Sequence, residues 1–106
     1  MTEDLRWNPV GSLEEWKDGQ GRVVNVGARR IAVFRTGDRF RALKDACPHA
    51  GVSLAAGYLQ DDCIVCPAHA WGFSLDDGRC TMGPAGAQAM CYPVRIQDGK
   101  VEVGVP

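Results

Sequence analysis

Both histidines of this 106-residue chain fall in one stretch, "CPHAGVSLAAGYLQDDCIVCPAHAWGF" (47–73), and each trails a cysteine. The order is Cys47-Pro48-His49, then sixteen residues, then Cys66-Pro67-Ala68-His69. Thiolate and imidazole are the side chains that soft and borderline transition metals select. Between residues 45 and 62 the strong apolar side chains are Val52, Leu54, Tyr58 and Leu59, scattered among Gly and Ala. A loop of that length inside a small domain has few apolar anchors of its own, and a bound metal would order it.

The rest of the chain reads as short strands. "RVVNV" (22–26) and "RRIAVF" (29–34) are rich in β-branched residues and flank Gly27-Ala28, a hairpin connection. "TGDR" (36–39) turns the chain again into "FRALK" (40–44). "YPVRI" (92–96) and "KVEVGV" (100–105) flank Gln97-Asp98-Gly99, where Asp-Gly signals a hairpin. Tyr92, Val94 and Ile96 alternate with Pro93 and Arg95, which predicts one buried and one wet face. "SLEEW" (12–16) is the one helical candidate, one or two turns long, with Ser12 and Glu15 placed for a capping box. With 13 glycines and six prolines, the pattern predicts an all-β fold, a sandwich or open barrel, with residues 1–106 as one domain.

Composition narrows the function classes. A net charge of −1 leaves no basic footprint for nucleic acid or an anionic membrane. No apolar run approaches the ~20 residues of a membrane span, and "MTEDLRWNPV" lacks a charged-then-apolar signal region. The expected compartment is therefore the cytoplasm, where cysteines bind metal or do redox chemistry more often than they form a disulfide framework. Cys80 and Cys91 flank the segment "MGPAG" (82–86) closely enough for a bond between them, but reducing conditions favour thiols.

Three readings of the four residues compete. As ordinary core cysteines and surface histidines they leave unexplained two Cys-Pro pairs, each with a histidine, in a histidine-poor chain. As a zinc site they make a legitimate tetrahedral set, and "CIVC" (63–66) offers Cys-x-x-Cys. Zinc folds, however, usually pair Cys with Cys and His with His. Cys63 also falls in a predicted strand, which would point it away from Cys66 and into the core. The third reading is a [2Fe–2S] cluster: the pattern Cys-x-His, sixteen residues, Cys-x-x-His resembles the Rieske family.

That resemblance implies Cys47 and Cys66 on one iron and His49 and His69 on the other, with "MGPAG" as the proline-containing third loop over the cluster. It also implies stacked antiparallel sheets with a cluster-binding loop subdomain. Two ferric ions, two sulfides, two thiolates and two neutral imidazoles sum to zero charge, whereas four thiolates would leave a dianion. An electron is therefore added more easily than in a four-cysteine ferredoxin. Within the family range of about −150 to +300 mV, the low end is expected. High-potential relatives carry a disulfide where this chain has Val52 and Ala68, and hydroxyls where it has Trp71 and Phe73.

No residue is assigned a catalytic role, because both histidines are used as ligands and none remains for a mononuclear iron or for acid–base work. The resemblance implies a ferredoxin that carries single electrons from a flavin-containing reductase to a terminal oxygenase. The alternative is the small subunit of NAD(P)H-dependent nitrite reductase, docked on that enzyme's large subunit. Many such subunits lack some ligands, while this chain keeps all four. A zinc-stabilised binding module is the remote alternative. Cys63, Cys80 and Cys91 are read as structural, Trp71 as a shield beside the site, and Trp7 and Trp16 as core. Arg22, Arg29, Arg30, Arg35, Arg39 and Arg41 are read as lying on wet faces.

Overall fold

A computed structural model of the protein describes residues 5–48, 51–68, 70–83 and 86–106. Among these, the strands in chain order begin with β1 (Arg6–Ser12), β2 (Gly21–Val26), β3 (Arg29–Thr36) and β4 (Arg39–Lys44). Four short strands follow: β5 (Tyr58–Gln60), β6 (Cys63–Val65), β7 (Gly72–Ser74) and β8 (Cys80–Met82). The chain closes with β9 (Cys91–Tyr92), β10 (Val94–Gln97) and β11 (Lys100–Val105). They form three antiparallel sheets, with orders β1-β11-β10, β2-β3-β4-β9 and β5-β6-β7-β8. This is the all-β, stacked-sheet architecture expected.

The central strand explains the stacking. Ile31, Ala32, Val33 and Phe34 of β3 are all buried, so both of its faces are covered. Ile31 and Val33 pack with Trp16, Ala42, Tyr92, Val101 and Val103, joining the second sheet to the first. Ala32 and Phe34 face the other way, into a core with Leu43, Cys47, Leu54, Ile64, Cys66 and Phe73. Alternation along one strand therefore feeds two cores. Each large side chain so buried contributes about 1.5–3 kcal/mol. Gly21 permits this packing, since a Cβ there would lie 2.6 Å from the Phe34 ring.

The hairpins follow their turn residues. Val26 pairs with Arg29 across Gly27-Ala28, and Thr36 with Arg39 across Gly37-Asp38. Asp98 (φ 52°) and Gly99 (φ 74°) are both left-handed, as a two-residue turn between β10 and β11 demands. "YPVRI" is divided: Tyr92 belongs to the second sheet and Val94 to the first, with Pro93, which lacks an N–H, at the crossing. Ile96, expected inside, is 42% exposed, because β10 is an edge strand and Ile96 lies beside the hairpin turn at its end.

Other expectations shift. "SLEEW" holds a single 3-10 turn, Leu13–Glu15, with the Ser12 N–H donating to Glu15 Oε2 at 2.7 Å. The stretch 45–62, read as loop, contains a 3-10 turn (Leu54–Ala56) and the strand β5. Trp16 is core, its Nε1 donating to the Val33 carbonyl, whereas Trp7 is half-buried beneath the Arg95 guanidinium, 4.4 Å from its ring centroid. Arg41 is not on a wet face: it is buried between the second and third sheets. Arg35 is half-buried and donates to the Leu13 and Trp16 carbonyls. Among the described residues, no helix is long and apolar enough to cross a membrane.

Candidate metal centre

The third sheet carries the loops of interest. The first connects β4 to β5, the second β6 to β7, and the third β8 to β9. Cys47 and Cys66 sit at corresponding points of the first two, 1% and 0% exposed.

Their backbones close in the same way. The Cys47 N–H donates to the Val52 carbonyl at 2.8 Å, and the Gly51 N–H donates to the Cys47 carbonyl at 2.8 Å. In the second loop the Cys66 N–H donates to the Trp71 carbonyl at 2.7 Å, and the Ala70 N–H to the Cys66 carbonyl at 3.0 Å. The residue four after each cysteine is left-handed: Gly51 at φ 69° and Ala70 at φ 59°. Glycine takes that conformation freely, whereas alanine holds it at a cost that the loop closure must outweigh. Val52 and Trp71, equivalent by this pattern, both pack partly buried on the core that holds the two cysteines.

Burial and charge test what such a site can hold. Two thiols enclosed by Leu54, Ile64, Phe73 and Leu75 are poor places for bare thiolate charge, and a cationic soft-metal centre is the partner that makes both acceptable. The donor set therefore fits iron–sulfur ligation. His49 and His69, the other two predicted ligands, lie outside the described residues, as do Pro84 and Ala85 of the third loop. Among the described residues no three His, Cys, Asp or Glu side chains gather for a metal. At the start of that third loop, Gly83 lies against Trp71, where a Cβ would come 3.1 Å from the indole Cγ.

The remaining cysteines stand apart. Cys63 opens β6 half-buried rather than in the core, accepting from Thr81 Oγ1 at 3.4 Å, so "CIVC" does not act as a pair. Cys80 and Cys91 are unbonded thiols. Burial raises the Cys91 pKa, and the charges of Asp77 and Asp76 raise it further.

Two charged groups that hold the site escaped the sequence reading. Asp45, two residues before Cys47, has a side chain 0% exposed. Its oxygens accept from Ser53 Oγ at 2.8 Å, the Ala55 N–H at 2.9 Å and Arg30 Nη2 at 3.3 Å. One carboxylate thus ties both ends of the first loop. Arg41 reaches from β4 to two turns of the third sheet, donating to Asp76 Oδ1 at 2.7 Å and Asp62 Oδ1 at 2.9 Å, and to Thr36 Oγ1 at 2.6 Å. That contact holds the Asp76 carboxyl below its ordinary range, the Arg41 hydrogen bond contributing most.

Comparison with known proteins agrees with this geometry. The Rieske [2Fe-2S] domain pattern matches residues 6–93. The anthranilate 1,2-dioxygenase ferredoxin subunit of Burkholderia cepacia is 36% identical over 107 residues, spanning 99% of both chains. A chain in the complex of reduced oxygenase and oxidized ferredoxin of carbazole 1,9a-dioxygenase superposes with a TM-score of 0.85 at 36% identity, covering 92% of this chain and 91% of that one. A protein described as the small subunit of an NADH-dependent nitrite reductase from Mycobacterium tuberculosis gives a TM-score of 0.91 over 98% of both chains, but at 23% identity, which speaks to fold alone. With two buried thiols on matched loops and a family pattern spanning most of its length, the chain belongs to the Rieske [2Fe-2S] family, whose members bind one [2Fe–2S] cluster.

Proposed function

We propose that the chain is a ferredoxin that carries single electrons from a flavin-containing reductase to a terminal oxygenase, as one Rieske domain over residues 1–106 in the cytoplasm. The pairing of Cys47 and Cys66 on matched, buried loops carries the reading, and the relation to an oxygenase ferredoxin subunit at 36% identity gives it direction. The likeness to a nitrite reductase small subunit adds fold but no comparable sequence relation, so the ferredoxin reading is preferred.

In this reading Cys47 and Cys66 ligate one iron, and His49 and His69 the other. When bound, the cluster accepts and releases one electron. The chain's own residues do the rest. Loop closure at Gly51 and Ala70 presents the two thiols, while Leu54, Ile64 and Phe73 keep water from them. Val52, Ala68, Trp71 and Phe73 offer neither a loop-to-loop disulfide nor a hydroxyl to stabilise added charge, which supports a low potential.

Absorption and low-temperature EPR spectra before and after dithionite test the reading. A red-brown oxidised form, EPR-silent until reduced and then giving the low-average-g signal of a histidine-ligated centre, is expected. A colourless protein that resists iron–sulfur reconstitution and binds one zinc overturns it. His69→Cys is expected to keep a cluster at a lower potential, since an anionic ligand replaces a neutral one. An unchanged potential with the new thiolate shown on iron would remove His69 from the ligand set.

A further inference from the structure

Beside the first cysteine loop runs an open groove of about 470 Å³, floored by the ends of β3 and β4 and walled by Met90 and Tyr92. It shares Lys44, Ala46, Gly51 and Met90 with a second hollow of about 350 Å³ that reaches Cys47 and Pro48. The two make one path from the β2–β3 turn to the candidate metal centre.

The path is cationic in a chain whose net charge is −1. Arg29, Arg30 and Lys44 line it, against one carboxylate, Asp45. That carboxylate is fully enclosed and already accepts from Ser53, Ala55 and Arg30. Among the described residues, Lys44 and Arg29 have no carboxylate partner. The Arg29 guanidinium is held over the Tyr92 ring, 5.9 Å from its centroid, with Nη1 3.4 Å from the Tyr92 hydroxyl. Met90, 48% exposed, adds an apolar contact at the point where the two hollows meet.

We propose that this groove is where an acidic segment of the protein's electron-transfer partner docks, its carboxylates on Arg29, Arg30 and Lys44 and an apolar side chain on Met90. The inference deepens the carrier reading and rests on it. Two joined open hollows suit a polypeptide better than a single small anion. Three cations on an acidic chain, with one exposed apolar side chain among them, suit acidic protein rather than nucleic acid, whose readers carry a strongly basic face. Charge complementarity of this kind steers encounter and fixes register, and it weakens with salt. Its position beside Cys47 sets a docked partner close to the redox centre.

A deca-glutamate peptide, titrated at low salt into the oxidised holoprotein and followed by amide chemical shifts, tests the proposal. Saturable shifts are expected at Ala28 to Arg30, Lys44, Met90 and Tyr92. The double variant R29Q/K44Q should bind about tenfold more weakly, as the loss of two surface contacts implies. R6Q/K100Q removes the same charge from exposed sites on the first sheet and should bind as wild type does. Shifts that map elsewhere, or equal weakening in both double variants, would overturn the proposal. So would inorganic phosphate or decathymidylate occupying the same residues as tightly as the peptide. The visible spectrum of each variant reports the cluster independently, so failure of the groove and failure of the carrier reading are told apart.

Discussion

Asp45→Ala should loosen the first cysteine loop by about 2 kcal/mol, and the value follows from what the carboxylate touches. Its side chain is 0% exposed and accepts two short hydrogen bonds, from Ser53 Oγ at 2.8 Å and the Ala55 N–H at 2.9 Å. Bonds to an ionised acceptor are worth about 1.5–3 kcal/mol each, so the gross loss is about 3–6 kcal/mol. Removing a buried charge returns part of its desolvation cost, several kcal/mol in a fully enclosed site. The Arg30 pair adds little, because that side chain is 64% exposed. Ser53 is half-buried and its hydroxyl can turn to water, which leaves the Ala55 N–H as the main loss. Hydrogen–deuterium exchange of residues 53–57 in the holoprotein, read by mass spectrometry, measures that opening. A change of about 2 kcal/mol is roughly a 30-fold faster exchange. Asp45→Asn keeps an oxygen for the Ala55 N–H and should change exchange by less than about fivefold. Exchange within about twofold of wild type for the alanine variant, or equal effects of alanine and asparagine, would refute the assignment of Asp45 as the pin of this loop.

Two further predictions concern the second loop and the half-buried thiol of Cys91. Ala70→Gly should raise the midpoint of a circular-dichroism melt by about 3 °C, because a left-handed alanine costs about 1–2 kcal/mol, of which glycine's unfolded-state entropy takes back about 0.5–1 kcal/mol; an unchanged or lower midpoint would mean the loop is not strained there. Cys91 should resist iodoacetamide at pH 8, with mass spectrometry showing it unmodified while an unstructured cysteine peptide reacts. Its raised pKa means that the folded chain keeps a proton the unfolded chain would release. The contribution to stability is therefore complete below the unfolded thiol value of about 8.5 and is lost as pH rises through the raised folded value. Equal reaction of Cys91 and the peptide at pH 8 would show the thiol to be open to solvent.

What was legible in the sequence was whatever has a local signal. Asp98-Gly99 and Gly27-Ala28 announced their hairpins because few residues tolerate a left-handed turn. The β5–β6 hairpin was missed because its turn is Asp61-Asp62, at φ 52° and 60°, with no glycine to mark it. What holds that turn is long-range: Asp62 Oδ1 takes the Arg41 guanidinium, and the Asp62 carbonyl accepts the Leu75 N–H at 3.0 Å. Arg41 was misplaced for the same reason. In "FRALK" it looks like a wet-face residue, and the carboxylates that make its burial tolerable lie 21 and 35 residues away. Cysteine spacing, by contrast, is a one-dimensional signal, and the structure places Cys47 and Cys66 in one core.

Asp45 and Arg41 together show how the thiols are held relative to the base of the fold. Both belong to the same short run of chain: Arg41 within β4, Asp45 just past its end. Arg41 grips two turns of the third sheet, and Asp45 grips the first cysteine loop where it returns toward that sheet. The three-residue strands β5 to β8 meet β3 and β4 through one apolar core of Phe34, Leu43, Leu54, Ile64 and Phe73, and apolar packing of this kind has no fixed direction. Two charged contacts, one within β4 and one just past its end, add fixed directions to that packing. A redox centre works best when its ligands are already in place before and after the charge changes, supported by groups anchored on rigid elements. The cost of enclosing an arginine whose Nε has no partner among the described residues is consistent with that role, because burying the group gains little stability of its own. In this chain the two cysteines are marked by spacing, whereas the placement of their thiols depends on charges that only the folded chain brings together.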